Sequence, residues 1–150
     1  MPKTYTVTGG PAIGELAPEI EGTDLDGVAF KLSDYRGKVV MLDFYGDWWP
    51  PCRAMYDEER SLVSEMEKAG KPFALIGVNV NDELVHIQSV VKEKALNWRS
   101  FFAGRDPAIP ESYGVQGYPT VVIIDADGIV RSAAHGPQND WIEHLLDEME

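Results

Sequence analysis

The chain has 150 residues, a formal net charge of −12 at neutral pH, and a hydrophobic fraction of 44%. A chain of this length and composition forms one globular domain and is neither disordered nor fibrous. The longest strictly apolar runs, such as residues 39–42, are far short of the roughly 20 residues of a bilayer-spanning helix, so no membrane insertion is expected. The negative charge repels nucleic-acid backbones, so no nucleic-acid binding is expected either.

The first 18 residues are rich in Gly, Pro and Thr and predict an extended lead-in. We take residues 1–12 as a flexible lead-in and residues 13–150 as the domain. The opening residues contain a lysine but no apolar stretch after it, so we expect no secretory leader within the chain.

Two Asp-x-Asp-Gly segments, at residues 24–27 and 125–128, each lie between stretches that can pair as strands. A calcium loop needs more ligands at alternate positions and a distal Glu, so both segments predict hairpin turns. The first of these turns therefore predicts an N-terminal hairpin ahead of the main sheet.

Strand and helix patterns alternate between and after these turns. They predict, in chain order, a strand at 38–45, a helix with Met55, Leu62, Val63 and Met66 on its buried face, a strand at 73–80, a helix that begins near the capping candidate Asn81 or Asp82, strands at 120–125 and 129–134, and a helix with Asn139 or Asp140 as its N-cap. The order βαβ followed by ββα predicts an α/β domain with a mixed central sheet and helices on both faces.

An acidic run, Asp57, Glu58 and Glu59, lies near the start of the first predicted helix. Its simplest interpretation is a solvated face that also suits the positive end of the helix dipole. We therefore expect all three carboxylates in solvent.

Histidine and cysteine are scarce. Cys52 is the only cysteine, which excludes an intrachain disulfide and a two-cysteine redox cycle. His86 and His144 fall on polar helix faces and are expected in solvent, and His135 falls in a loop. No pair among these residues has the spacing of metal ligands, so we expect neither a metal site nor a cofactor.

The segment at residues 42–53 joins the end of the first buried strand to the start of the first long helix. Ligand sites of open α/β sheets lie at such carboxyl ends of strands. A helix N-terminus there also stabilises a thiolate through its unpaired backbone N–H groups. The chemistry of the chain is therefore expected in this segment.

Residues 44–52, FYGDWWPPC, and residues 113–120, YGVQGYPT, resemble two motifs of the thioredoxin superfamily, in its TlpA-like thiol-disulfide oxidoreductase branch. The resemblance covers roughly residues 13–149. It implies a thioredoxin-like fold and thiol-disulfide exchange with protein or peptide partners, and it favours a location outside the cytoplasm over the alternative of a cytoplasmic one. We expect the chain to be a monomer.

One departure from the family pattern concerns the reaction itself. In the pattern, Trp48 is followed by the attacking cysteine, and this chain has Trp49 at that position. Only the second, resolving cysteine is kept, as Cys52. Because exchange proceeds by thiolate attack and resolution by a second thiol, we expect dithiol exchange to be lost. A shielded Cys52 has a raised pKa, which favours a buried small side chain over a reactive nucleophile.

Three further residues take roles that the resemblance implies. Asp43 is an acid inside an apolar strand and matches the buried carboxylate that relays a proton to the resolving thiol. Pro119 matches the cis-proline that faces the reactive turn, and the backbone before it, at Tyr118, pairs with a bound peptide. Pro51 lies in the first turn of the helix and in the same motif.

Four aromatic side chains belong to these two motifs. We expect Tyr45, Trp48, Trp49 and Tyr118 to gather on one surface and to form an exposed apolar patch there.

Three functions remain open at this point. The first is a thiol-disulfide oxidoreductase family member without dithiol exchange, with Cys52 and Asp43 as its remaining catalytic residues. The second is a one-Cys peroxidase that uses Cys52, although Trp49 and Tyr45 stand where peroxiredoxins need Thr and Pro. The third is a non-catalytic binding module in which Trp49 and Tyr118 form the contact surface.

Overall fold

The computed structural model describes all residues from 1 to 150. Its elements in chain order are β1 (Glu21–Thr23), β2 (Ala29–Lys31), a 3-10 helix (Leu32–Tyr35), β3 (Val39–Tyr45), α1 (Pro50–Arg53), α2 (Tyr56–Lys68), β4 (Phe73–Val80), α3 (Leu84–Glu93), β5 (Arg99–Gly104), α4 (Ala108–Ser112), β6 (Thr120–Ile124), β7 (Val130–Ala134) and α5 (Asn139–Glu148). None of these helices is long and apolar enough to cross a membrane.

The most apolar predicted strand, β3, is the middle strand of a five-stranded sheet in the order β5-β4-β3-β6-β7. It pairs parallel with β4 and antiparallel with β6, so the sheet is mixed. All seven β3 residues are buried, because strands flank both edges and other elements cover both faces. The prediction of an α/β domain with a mixed central sheet is confirmed.

Side chains of β3 alternate between two cores, as strand geometry requires. Val39 and Met41 pack with buried side chains of α2 and α5 on one face. Val40, Leu42 and Phe44 pack on the opposite face against the N-terminal hairpin. Asp43 therefore belongs to the face that α2 covers.

Both Asp-x-Asp-Gly segments form the predicted hairpin turns. The first joins β1 and β2, which form a separate two-stranded antiparallel sheet, and the second joins the antiparallel strands β6 and β7. In the second turn, Oδ1 of Asp125 accepts hydrogen bonds from the backbone N–H groups of Asp127 and Ile129, so this carboxylate stabilises the turn.

Two elements were missing from the predicted order. Strand β5 lies at the edge of the sheet beside β4, and the short helix α4 follows it. Only the middle of β5 is strongly apolar, and the strand begins with Arg99 and ends at Gly104. Such a short edge strand shows little of the continuous apolar pattern that identified β3 and β4.

The predicted first helix is divided in two, and later helices begin elsewhere than expected. The N–H of Met55 donates to the carbonyl of Cys52, a tightened turn that separates α1 from α2. Helix α3 begins after Glu83 rather than Asn81 or Asp82, because the Asp82 carboxylate accepts hydrogen bonds elsewhere. Helix α5 begins after Gln138.

Part of the predicted lead-in makes hydrogen bonds to the sheet and to α5. The N–H of Tyr5 donates to Oγ of Ser132, and its carbonyl accepts from Ala133. The indole of Trp141 donates to the carbonyl of Lys3. The division of the chain into a flexible segment at 1–12 and a domain at 13–150 stays a prediction.

Gly77 on β4 lies where there is no room for a side chain. A Cβ at this position would overlap Ser100 and Tyr45, whose hydroxyls hydrogen-bond to each other at 2.8 Å. We expect Gly77→Ala to lower the free energy of unfolding by about 1–3 kcal/mol, because a packed core cannot accommodate the added carbon without moving these groups. Urea denaturation followed by tryptophan fluorescence measures the change.

The control is Gly136→Ala, since a Cβ at Gly136 meets no atom within 4 Å. This variant should change the free energy of unfolding by less than about 1 kcal/mol. Equal effects of the two substitutions would contradict the packing argument.

Candidate functional site

The segment between β3 and α1 places the predicted site at the carboxyl end of the central strand. Trp49 is the N-cap residue of α1, and Pro50 and Pro51 occupy its first positions, where the missing N–H groups of proline cause no loss. The N–H of Trp49 donates to the carbonyl of Gly46, and the N–H of Cys52 donates to that of Trp49. These bonds fix the turn that carries the motif.

Cys52 lies beneath this turn and is 1% exposed. Burial raises the pKa of its thiol to about 11, although a hydrogen bond with the backbone of Gly46 partly opposes the increase. Cys52 is therefore a thiol at neutral pH, and its shielding agrees with the expectation from the sequence.

Trp48, Trp49 and Tyr118 meet above the turn and form what we call the aromatic surface. The Trp48 ring centroid lies 6.2 Å from that of Trp49 and 5.6 Å from that of Tyr118. Trp48 and Trp49 remain 44% and 42% exposed, although each indole N–H is used: Trp48 donates to the carbonyl of Val80 and Trp49 to that of Tyr118, both at 2.8 Å. These bonds orient the rings and leave their faces open to solvent.

Tyr45 does not join the aromatic surface, which corrects the prediction for this residue. It lies on the α2 face of β3, is 1% exposed, and hydrogen-bonds through its hydroxyl to Ser100. Its ring packs edge-on against Tyr56 and Trp98. Phe44 points to the opposite core, so the alternation of the strand decides the placement of Tyr45.

The two predicted prolines differ in exposure. Pro51 is exposed on α1. Pro119 is buried, follows Tyr118 through a cis peptide bond, and directly precedes β6. Its carbonyl lies 3.3 Å from Nδ1 of His135, which is also 3.3 Å from Oγ1 of Thr120.

Asp43 is buried at 1% exposure, and sequence reasoning missed its partner, Glu59. Glu59 is 2% exposed rather than solvated, and its carboxyl lies next to that of Asp43, whose charge acts on it. Burial raises the pKa of both carboxyls, and the proximity of Asp43 raises that of Glu59 further. The helical periodicity of α2 could have indicated the burial of Glu59, because Tyr56, Glu59 and Leu62 lie on the same buried face of the helix.

A second polar network, also missed, lies beside Trp48. The carboxylate of Asp47 accepts from the hydroxyl of Tyr56 at 3.0 Å and lies 2.8 Å from Nε2 of His86, while the N–H of Asp47 donates to Asp82. The guanidinium of Arg53 donates to the carbonyl of Asp47. His86 is half exposed, so the expectation of a solvated histidine holds only in part. This network attaches the motif turn to α2 and α3.

His144 is also paired rather than free in solvent. Its Nε2 lies 2.8 Å from Oε1 of Glu148, one turn later on α5. No group of three or more His, Cys, Asp or Glu side chains is arranged to hold a metal ion.

The buried acid Glu59 should make stability depend on pH. Above about pH 4.5, Glu59 loses its proton in the unfolded chain but keeps it in the folded chain. The contribution of Glu59 to the free energy of unfolding is therefore fully present below that pH and falls by about 1.4 kcal/mol per pH unit above it. Glu59→Gln removes this contribution and leaves that of Asp43 in place. Between pH 5 and pH 7, the free energy of unfolding of the variant should fall by about 3 kcal/mol less than that of the unaltered protein. Urea denaturation at each pH measures the difference.

Glu58→Gln is the matched control, because Glu58 is the adjacent residue and is exposed. This variant should follow the unaltered protein across the same pH range. Parallel curves for the two variants would show that Glu59 is ionised in the folded state.

Comparisons with known proteins identify the family of the chain. The AhpC/TSA family model matches residues 13–133. The thiol-disulfide oxidoreductases ResA of Geobacillus thermodenitrificans and Geobacillus kaustophilus are 29% and 30% identical to the chain, each over 94% of this chain and 80% of the relative.

Solved structures show the same fold. The crystal structure of a thiol:disulfide interchange protein of the thioredoxin family from Chlorobium tepidum superposes with a TM-score of 0.78 at 24% identity, over 91% of this chain and 99% of that one. A secreted thiol-disulfide isomerase from Corynebacterium glutamicum gives a TM-score of 0.77 at 23% identity, over 97% and 96% of the two chains. The chain therefore belongs to the AhpC/TSA family and, within the thioredoxin superfamily, to the TlpA-like thiol-disulfide oxidoreductases.

Proposed function

We propose that this chain is a thiol-disulfide oxidoreductase family member that does not carry out dithiol exchange and that contacts a protein or peptide partner through the aromatic surface. The observation that carries the proposal is that Cys52, the only cysteine, lies buried beneath a turn in which Trp49 occupies the attacking position. The roles of Asp43, Pro51 and Pro119 belong to the same proposal.

The chemistry of exchange supports the loss. A thiolate attacks a partner disulfide, forms a new S–S bond to one partner sulfur and releases the other as a thiolate; a second thiol must then attack the mixed disulfide to free the enzyme with its own disulfide. Cys52 has no second thiol in this chain. It is also neutral at physiological pH and shielded from a bulky disulfide.

The aromatic surface supports the binding part of the proposal. Two half-exposed tryptophans and the neighbouring Tyr118 offer a large apolar contact area at little cost in side-chain entropy, since their rings are already held by hydrogen bonds. A partner would place an apolar side chain against Trp48 and Trp49. If binding is the whole function, Cys52→Ser leaves partner affinity unchanged.

Restoring the second thiol tests the loss of exchange. We expect no reduction of insulin by the unaltered chain above the dithiothreitol background, and catalytic turnover by the Trp49→Cys variant, because its new thiol stands at the helix N-terminus and can be resolved by Cys52. The rate of insulin precipitation measures turnover.

Two controls accompany this experiment. Trp49→Ser removes the indole without adding a thiol, and Trp49→Cys combined with Cys52→Ser leaves a single thiol at the attacking position. Neither should turn over. Turnover by the unaltered chain, or an inert but folded Trp49→Cys variant, would contradict the proposal.

A one-Cys peroxidase is the second candidate, and the match to the AhpC/TSA family model favours it. In that reaction the Cys52 thiolate would attack the peroxide O–O bond, form sulfenic acid, and release the other oxygen as water. Trp49 and Tyr45 replace the Thr and Pro of the peroxiredoxin pattern. Tyr45 is also buried, and its hydroxyl hydrogen-bonds to Ser100. The neutral thiol of Cys52 also opposes this candidate.

Thiol reactivity distinguishes the candidates. With a pKa of about 11 in place of 9.0, native Cys52 should react with a small aromatic disulfide at pH 8 about a hundredfold more slowly than the urea-unfolded chain. Release of the coloured thiolate measures the rate, and Cys52→Ser gives the blank. Sulfenic acid formation within seconds in micromolar peroxide would favour the peroxidase instead.

A further inference from the structure

The surroundings of Asp43 contain no group that neutralises a negative charge. Its strand neighbours are Gly77 on β4 and Val121 on β6. The buried residues of α3 and α5 are all apolar. The nearby buried amide of Gln138 donates to the carbonyl of Val121 and not to a carboxylate. Asp43 is therefore left with Glu59.

Three buried oxygens of the Asp43–Glu59 pair have no hydrogen-bond partner. These are Oδ1 of Asp43 and both carboxyl oxygens of Glu59. Two carboxyl groups can hydrogen-bond to each other only if one of them carries a proton, because an ionised carboxylate has no donor. Two adjacent buried carboxylates would also repel each other too strongly for both to be ionised.

The other titratable groups that act on the pair are acids. The charges acting on Glu59 are those of Asp43 on β3, Cys52 on α1 and Glu58 on α2. Tyr45 on β3 is acted on by both carboxyls. Every one of these groups disfavours a second negative charge in this part of the core.

We propose that Asp43 and Glu59 act as one acid that holds a single proton at neutral pH, and that either carboxyl can carry the remaining charge beside Cys52. The family resemblance implies a role for Asp43 alone, so Glu59 is a second positioning residue for the thiol. The inference does not depend on the loss of dithiol exchange, because all three groups are present in the unaltered chain.

Carboxyl titration tests the shared proton directly. Carbon-13 labelling of Asp and Glu side chains, with Asp43→Asn and Glu59→Gln used to assign the two signals, follows both groups in the unaltered chain. We expect one proton to remain on the pair above pH 8, where all exposed carboxyls are ionised. In Asp43→Asn, Glu59 should titrate at least about one pH unit lower than in the unaltered chain, because the competing charge is gone.

Two results of this titration would overturn the proposal. One is that both carboxyls titrate with the surface groups below pH 5. The other is that Asp43→Asn leaves the titration of Glu59 unchanged. The first result is read from the unaltered chain, and the two variants serve only to assign its signals.

The effect on Cys52 tests the second part of the proposal. Because the chain has one cysteine, carbon-13 labelling at Cβ gives one signal that reports the thiolate fraction. Above the pH at which the carboxyl titration shows the remaining group to be ionised, Asp43→Asn and Glu59→Gln should each change that fraction less than twofold, since a charge then stays beside the thiol. The double variant should raise it about tenfold, equivalent to one pKa unit.

Glu58→Gln serves as the control and should leave the Cys52 signal unchanged, and amide spectra confirm that each variant is folded. If Asp43→Asn alone produces the full increase, Glu59 plays no part in the ionisation of Cys52. An unchanged signal in the folded double variant would show that burial alone keeps the thiol neutral. Either result would overturn this part of the proposal.

Discussion

The burial of β3 on both faces and both edges is the constraint on which the rest of the structure depends. A central strand in this position accepts only side chains that need no water, and five of its seven residues meet that requirement without help. The hydroxyl of Tyr45 hydrogen-bonds to Ser100, and Asp43 must also find a partner inside the protein. Its partner comes from α2, so the placement of the carboxyl pair follows from the topology of the sheet.

The same strand decides what the motif segment can present to solvent. Where β3 ends at Tyr45, the chain leaves the core, and Trp48 and Trp49 emerge half exposed three to four residues later. Cys52 then turns back beneath the turn, into the cluster that holds Tyr45 and Tyr56. One short segment therefore separates an open aromatic face from a closed thiol.

Most of the fold was predictable because long apolar runs and turn residues determine strands and hairpins strongly. The sequence predicted β3, β4 and the β6–β7 hairpin close to their observed bounds. Strand β5 was missed, since an edge strand needs few apolar residues. The site was less predictable: Glu59 was assigned to solvent because it is charged, whereas its place on the helical stripe indicated burial.

The contacts of individual side chains were beyond a reading of periodicity alone. The pairing of Asp47 with His86 joins residues 39 positions apart, and the bond from Trp49 to Tyr118 joins residues 69 positions apart. Such distances in sequence carry no local signal. The family resemblance predicted that the two motifs lie close together, but it did not predict the contacts of an indole at a position that usually carries a thiol.

The indole of Trp49 fills space as well as a hydrogen-bonding position. A chain with cysteine at this position would leave the carbonyl of Tyr118 without the indole donor and a crevice beside Trp48, where this protein has an exposed apolar side chain. Shape complementarity with any docked polypeptide would therefore differ between the two chains even if sulfur chemistry were set aside. Ligands selected for binding to the tryptophan form should distinguish it from the cysteine form by surface shape alone.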